Sequence, residues 1–205
     1  MDLAQKENTH RVIVPETFAF TQPDLKSVPV ASRPLGTEFR KKSEDNKFVE
    51  DELGGWFPAQ HVAPISNIGD DPTGIAEAFV GTAYLWGGRT YRGIDCSGLT
   101  VAAYGACDVL LPRDSDMQFA WSGTPIENWN EPGALNRGDL VFWKGHVGIM
   151  TDPETLVHSN AYHMATAKEP LSGAIKRIAN RYGEPIGARR IDLTEGRKRP
   201  DWMTT

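Results

Sequence analysis

Chain breakers govern the first third of this sequence. Pro15, Gln22-Pro23-Asp24, Pro34-Leu35-Gly36 and Leu53-Gly54-Gly55 cut residues 10–68 into short β-like runs at 11–14, 18–20, 28–31, 37–41, 47–50 and 56–57. Runs this short, joined by tight turns, cannot pair as a broad open sheet, so a small antiparallel barrel is expected over residues 10–68. Residues 1–9 are polar and read as a tail.

The pattern changes after residue 68. Residues 67–71 followed by Pro72 read as a linker, and a second domain is expected over 69–192. Ile75, Ala78, Phe79 and Thr82 fall at helical spacing behind Pro72, which predicts a helix over 73–83. A second helix is expected over 96–108, with Leu99, Ala102, Ala103 and Ala106 forming a small-residue face and Leu111-Pro112-Arg113 stopping it. Runs at 139–143 and 146–150, hinged at Lys144-Gly145, and at 155–159 predict a meander. A short helix over 171–180 and a strand over 186–191 follow, before a polar tail at 193–205 that is expected to fray. The Gly/Pro-rich stretch 122–138 reads as a surface loop flanking a cleft. The fold class is therefore α+β.

Composition excludes several partners. The 205 residues carry a formal net charge of -5, which gives no general attraction to nucleic acid or an anionic membrane. The first ten residues are polar and Pro15 interrupts the first apolar cluster, a pattern unlike a signal peptide or a spanning helix. With only two cysteines, Cys96 and Cys107, and no disulfide framework, a reducing cytoplasm is the expected location. There is no paired-cysteine spacing and no His-Glu-x-x-His, so neither a metal nor another cofactor is expected.

The chemistry centres on Cys96. A thiol in the first turn of a helix sees unpaired N–H groups and the positive end of the macrodipole, which favour the thiolate. Such a nucleophile needs a base, and the base needs a third group to hold its tautomer. His146 and His158 lie an even number of residues apart on successive strand-like runs. An odd hairpin loop places them on one face, as direct cross-strand neighbours in the simplest register. Cys107, without such surroundings, reads as structural. Trp86 and Trp143 read as packing residues framing the site, Arg113 and Asp114 as a solvated pair, and Gln118 as a loop support.

Five ordered segments carry a resemblance. They are Tyr84-Leu85-Trp86-Gly87-Gly88, Asp95-Cys96-Ser97-Gly98-Leu99, Leu111-Pro112-Arg113 with Gln118, Gly138-Asp139-Leu140-Val141-Phe142-Trp143, and His146-Val147-Gly148-Ile149 followed by His158. Together they resemble NlpC-type papain-like cysteine peptidases, which cleave peptides of bacterial cell-wall peptidoglycan. The resemblance implies a helix packed on an antiparallel sheet, with Cys96 as nucleophile, His146 as general base and acid, and His158 as orienting partner. It also implies that the Tyr84 hydroxyl lies beside the thiolate and that the Cys96 N–H helps hold the oxyanion.

The segment from Gly54 to Pro64 is similar to the closing part of bacterial SH3-like domains. Relatives with SH3-like domains before the peptidase trim free murein peptides. That narrower resemblance implies hydrolysis of the γ-D-glutamyl bond to a diamino acid, diaminopimelate or lysine, in murein-derived peptides with a free N-terminal L-alanine. Asp95, Ser97 and Ser115 are then the candidates for the amine, with Asp95 also placed to cap the helix. Glu16, Glu52 and Trp56 are the candidates for closing the pocket. The alternatives are an amidase or acyltransferase on the same scaffold, or a wall-binding module with a secondary peptidase.

Overall fold

The structure, a computed structural model, describes residues 7–45, 47–198 and 200–203. The chain divides into two compact units, Met1–Ile68 and Gly69–Thr205.

The first unit contains β1 (His10–Val12), β2 (Glu16–Phe20), β3 (Pro29–Pro34), β4 (Glu38–Phe39), β5 (Lys41–Asp45), β6 (Phe48–Asp51), β7 (Trp56–Pro58) and β8 (Val62–Pro64). These form two antiparallel sheets, β4-β1-β8 and β3-β2-β7-β6-β5. Alternation sends Thr17 and Ala19 of β2 inward and Phe18 outward, and Val12, Ala19, Phe39, Val49, Phe57 and Val62 close a small core. The expected barrel does not close among the described residues. Pro29 and Pro34 bracket the edge strand β3 and lack the N–H groups that a further strand would need.

The second unit begins with α1 (Pro72–Glu77), the two-stranded ribbon β9 (Arg89–Thr90) and β10 (Gly93–Ile94), α2 (Cys96–Gly105) and α3 (Ser115–Trp121). It continues with β11 (Thr124–Pro125), β12 (Leu140–Trp143), β13 (His146–Met150), β14 (Thr155–Asn160), β15 (Ala165–Pro170), α4 (Leu171–Tyr182), β16 (Gly187–Arg190) and α5 (Leu193–Gly196). Its antiparallel sheet has the order β11-β16-β12-β13-β14-β15. All of β12 is buried, as expected of a strand covered on both faces. Ala174 and Ile178 of α4 pack on Val141, Trp143, Met150 and Leu156, while α2 packs against β13 and β14.

Several boundaries differ from the periodicity. α1 stops at Glu77 because the backbone turns through Phe79 N–H to Ala76 C=O and Thr82 N–H to Phe79 C=O, with Gly81 at φ +89°. α2 stops at Gly105, and Asp108 turns the chain with φ 58°. The sequence reading missed β15 and α3. The tail expected to fray instead forms α5, whose first turn is capped by the Asp192 carboxylate accepting from Thr194 and Glu195 N–H. Arg197 then donates to the Cys107 and Gly69 carbonyls and ties this segment down.

Candidate active site

Close backbone contact sets the position of Cys96. A Cβ on Gly98 would strike the Gly88 carbonyl, so only glycine lets the 85–88 turn lie against the first turn of α2. Asp95 caps that turn, accepting from Gly98 N–H at 2.7 Å, and also accepts from Gly87 N–H at 2.8 Å. Gln118 joins α3 to α2, accepting from the Thr100 hydroxyl at 2.8 Å and donating to the Pro112 and Ser97 carbonyls. It is a buried brace that, through the Pro112 carbonyl, also holds the loop before α3.

Cys96 is buried, and burial raises its thiol pKa above the ordinary value. The Asp95 charge adds to that rise, whereas the N–H groups of Val147, Ser97 and Cys96 itself oppose it. The helix-start argument for a resting thiolate is therefore outweighed: desolvation of the sulfur exceeds what the helix end supplies.

Hairpin register brings the imidazoles together. Five residues separate Met150 from its partner Leu156, an odd loop, so His146 and His158 share a face. They are diagonal rather than directly opposite, because the register Ile149↔Val157 sets His158 across from Gly148. A Cβ on Gly148 would approach Leu156 Cδ1 to 2.5 Å and His158 Cβ to 3.4 Å, so its absence opens the diagonal. His146 Nε2 and His158 Nδ1 are 2.8 Å apart.

The relay continues to two residues that sequence reasoning missed. His158 Nε2 lies 2.7 Å from Glu169 Oε1, and Arg177 pairs with the same oxygen. Glu169 is two residues beyond Ala167, the register partner of His158, and Arg177 reaches it from α4. No motif marks either residue; the signal lies in a strand pairing that the sequence pattern did not reveal.

The tautomers follow from these partners. A carboxylate only accepts, so His158 Nε2 carries the proton and its Nδ1 accepts from His146 Nε2–H. The lone pair of His146 then resides on Nδ1, where a base needs it. Burial resists the charge on Glu169, but the His158 and Arg177 hydrogen bonds and charges outweigh it and hold the carboxyl down at about 2. Burial, then His158 and the Arg177 cation, push His146 down to about 3, and burial lowers His158 despite Glu169. Both rings are thus neutral near pH 7, and so is the Cys96 thiol, which lines the same cavity as His146.

Cys96, His146 and Tyr84 line one cavity of about 280 Å³, with Trp86, Lys144, Asn160, Tyr162, Arg177, Arg181 and Tyr182 among its walls. Burial raises the Tyr84 hydroxyl pKa, and neighbouring Cys96 and Asp95 raise it further. Trp86 is 83% exposed, so it forms a projecting wall rather than the packing residue expected. Trp143 is buried, its ring centroid 5.7 Å from that of His146. None of residues 122–138, the loop expected to flank the cleft, lines this cavity.

The candidates for the amine lie along α2 and α3. Arg113 pairs with Asp95 rather than with Asp114, donating to Oδ1 at 3.0 Å and Oδ2 at 2.6 Å, and to Ser97 Oγ at 2.9 Å. With the Ser97 hydroxyl also donating to Oδ1 at 3.5 Å, Asp95 Oδ1 accepts three hydrogen bonds and Oδ2 two. Ser115 is the buried first residue of α3. Glu16 starts β2, Trp56 starts β7, and Glu52 pairs with Arg40 at 3.2 Å, all in the first unit.

His158, His163 and Glu169 bring their ligand atoms within 4.8 Å of one another. The Arg177 guanidinium on Glu169 opposes a second cation there. Neither cysteine is in a disulfide, and both are buried.

The NlpC/P60 family model matches residues 81–182. The "probable endopeptidase NlpC" of Escherichia coli is 36% identical over 118 residues, covering 50% of this chain and 73% of that protein. A gamma-D-glutamyl-L-lysine dipeptidyl-peptidase of Bacillus cereus is 30% identical over 114 residues, covering 52% of this chain and 32% of that one. The chain spans about half the length, or less, of several other curated relatives it matches. The crystal structure of an NlpC/P60 family protein from Bacillus cereus superposes with a TM-score of 0.72 at 25% identity, covering 92% of this chain and 65% of that one. This chain belongs to the NlpC/P60 family, with its papain-like fold in the second unit.

Proposed function

We propose that this protein is a cysteine peptidase that hydrolyses the γ-D-glutamyl bond to a diamino acid in short murein-derived peptides. The observation that carries the reading is the unbroken relay Glu169–His158–His146 ending in the cavity that holds Cys96. His146 Nδ1 takes the thiol proton as sulfur attacks the γ-carbonyl carbon. The same proton passes to the departing amine as the C–N bond breaks, leaving a thioester on Cys96. Water, deprotonated by His146, then attacks the thioester and releases the acid and the thiol. Cys96 N–H, at the start of α2, is the oxyanion donor, and Tyr84 borders the thiol.

The γ-D-glutamyl specificity is supported by the name of the Bacillus cereus relative. The filled hydrogen-bond capacity of Asp95 supports a positioning role for it, which leaves Ser97 and Ser115 to meet a free N-terminal amine. The first unit is read as SH3-like on the segment from Gly54 to Pro64. The test is incubation with L-Ala-γ-D-Glu-diaminopimelate and its N-acetylated form, with Cys96→Ala as control. Release of the diamino acid from the free form by the wild type alone is expected. No release from either form removes the reading, and equal rates on both remove the amine specificity.

A further inference from the structure

The cavity beside Cys96 has a charge that the proton relay does not use. Lys144, in the turn between β12 and β13, and Arg181, in the last turn of α4, both line it, and neither has a carboxylate partner among the described residues. Arg177, one turn before Arg181, also lines it but is committed to Glu169 and lies 4.3 Å from the centroid of the Tyr162 ring. No Asp or Glu lines the cavity. A cation near a helix C-terminus is unremarkable by itself, since the helix dipole favours it. Here a second cation arrives from a separate hairpin and faces the same space, and nothing anionic in the walls answers either charge.

The position decides which part of a substrate meets them. His146 must hand its proton to the departing nitrogen, so the leaving residue sits on the His146 side of the scissile bond. Lys144 is two residues from His146 along the turn, and the aromatic walls Tyr162 and Tyr182 bound the same space. Ser97, Ser115 and Arg113, by contrast, do not line this cavity.

Building on the proposed peptidase reading, we infer that Lys144 and Arg181 form the binding site for the leaving amino acid and select one that carries free carboxylates. A diaminopimelate leaving group, with a side-chain carboxylate that lysine lacks, satisfies both cations. Lys144 and Arg181 are both exposed, so each contact with a carboxylate is a solvent-screened one that weakens with salt, and the selectivity rests on the two acting together.

The experiment compares L-Ala-γ-D-Glu-diaminopimelate, its form amidated on the side-chain carboxylate, and L-Ala-γ-D-Glu-L-lysine. The wild type, Lys144→Gln, Arg181→Gln and the double variant are each assayed at low and high salt. The diaminopimelate peptide is expected to lead by about five- to tenfold in kcat/KM, chiefly through KM, as charge-assisted contacts of this kind predict. The lead shrinks on amidation, at high salt and in each variant, and disappears in the double variant. Equal kcat/KM for the three peptides, or a lead that survives in the double variant, overturns the inference while leaving the peptidase reading intact. Hydrolysis of none of the three by the wild type overturns both.

Discussion

Two carboxylates, one beside Cys96 and one at the far end of the imidazole pair, are each held by an arginine, and they bind different groups. Asp95, beside Cys96, directs its hydrogen bonds to backbone: the capped turn of α2 and the Gly87 turn, with Arg113 across both oxygens. Glu169, on β15, directs its bond to an imidazole, with Arg177 behind it. A carboxylate spent on backbone fixes where the sulfur lies. One spent on a ring nitrogen fixes which nitrogen of the next ring is basic. The carboxylate next to Cys96 in sequence is thus not the one that joins the imidazole chain.

The comparison is broken most forcefully at the base. His146→Ala is expected to lower kcat about 10³-fold, within the range of general acid–base catalysis, and circular dichroism checks that the fold persists. A residual rate close to wild type removes His146 from the chemistry.

Next, Glu169→Gln keeps an acceptor for His158 but loses the charge and can present an N–H instead. Its kcat is expected to fall about tenfold with KM little changed, since the effect reaches substrate only through the relay. A change confined to KM, or to urea stability, gives Glu169 the same structural role as Asp95.

Asp95→Ala should act on stability first. Loss of the cap, with Arg113 left unpaired, is expected to cost about 1–3 kcal/mol in urea unfolding. Full stability with a collapsed kcat inverts the assignment of the two carboxylates.

A pH experiment sharpens the picture at the sulfur. Because burial raises the Cys96 pKa, its thiolate fraction at pH 7 is smaller than that of a free cysteine, and it grows as pH rises through the alkaline range. Alkylation by iodoacetamide should therefore be slow at neutral pH and climb steadily above it. A rate already at its plateau below pH 7 demonstrates a resting thiolate–imidazolium pair. The smallest effect belongs to Trp86→Ala: the ring is 83% exposed, so stability should change by less than about 0.5 kcal/mol in thermal melts.

Much of this architecture was legible because local rules govern it. Pro and Gly marked the breaks between short strands and Asp95 marked a helix start, while the shared face of the two histidines was legible only as a condition, an odd hairpin loop, that the register then supplied. Where the reading failed, the cause was a non-local term. The end of α1 was missed because apolar spacing continues into a turn that only tertiary packing selects. β15 was missed because the run Ala165 to Pro170 is half exposed and mixed in character, and its strand identity comes from pairing with β14. The packing role assigned to Trp86 failed because a large apolar side chain does not report its own exposure.

The sequence by itself singled out Cys96, His146 and His158 as candidates and placed Asp95 at a helix start, since those readings need only local motifs and short-range geometry. Only the tertiary structure decided the rest. It brought Glu169 and Arg177 to the far end of the relay, committed Arg113 to Asp95, buried the thiol strongly enough to outweigh the helix dipole, and set Lys144 and Arg181 around one cavity. Those outcomes depend on which distant segments exclude water from one another, and desolvation is a property of the assembled fold.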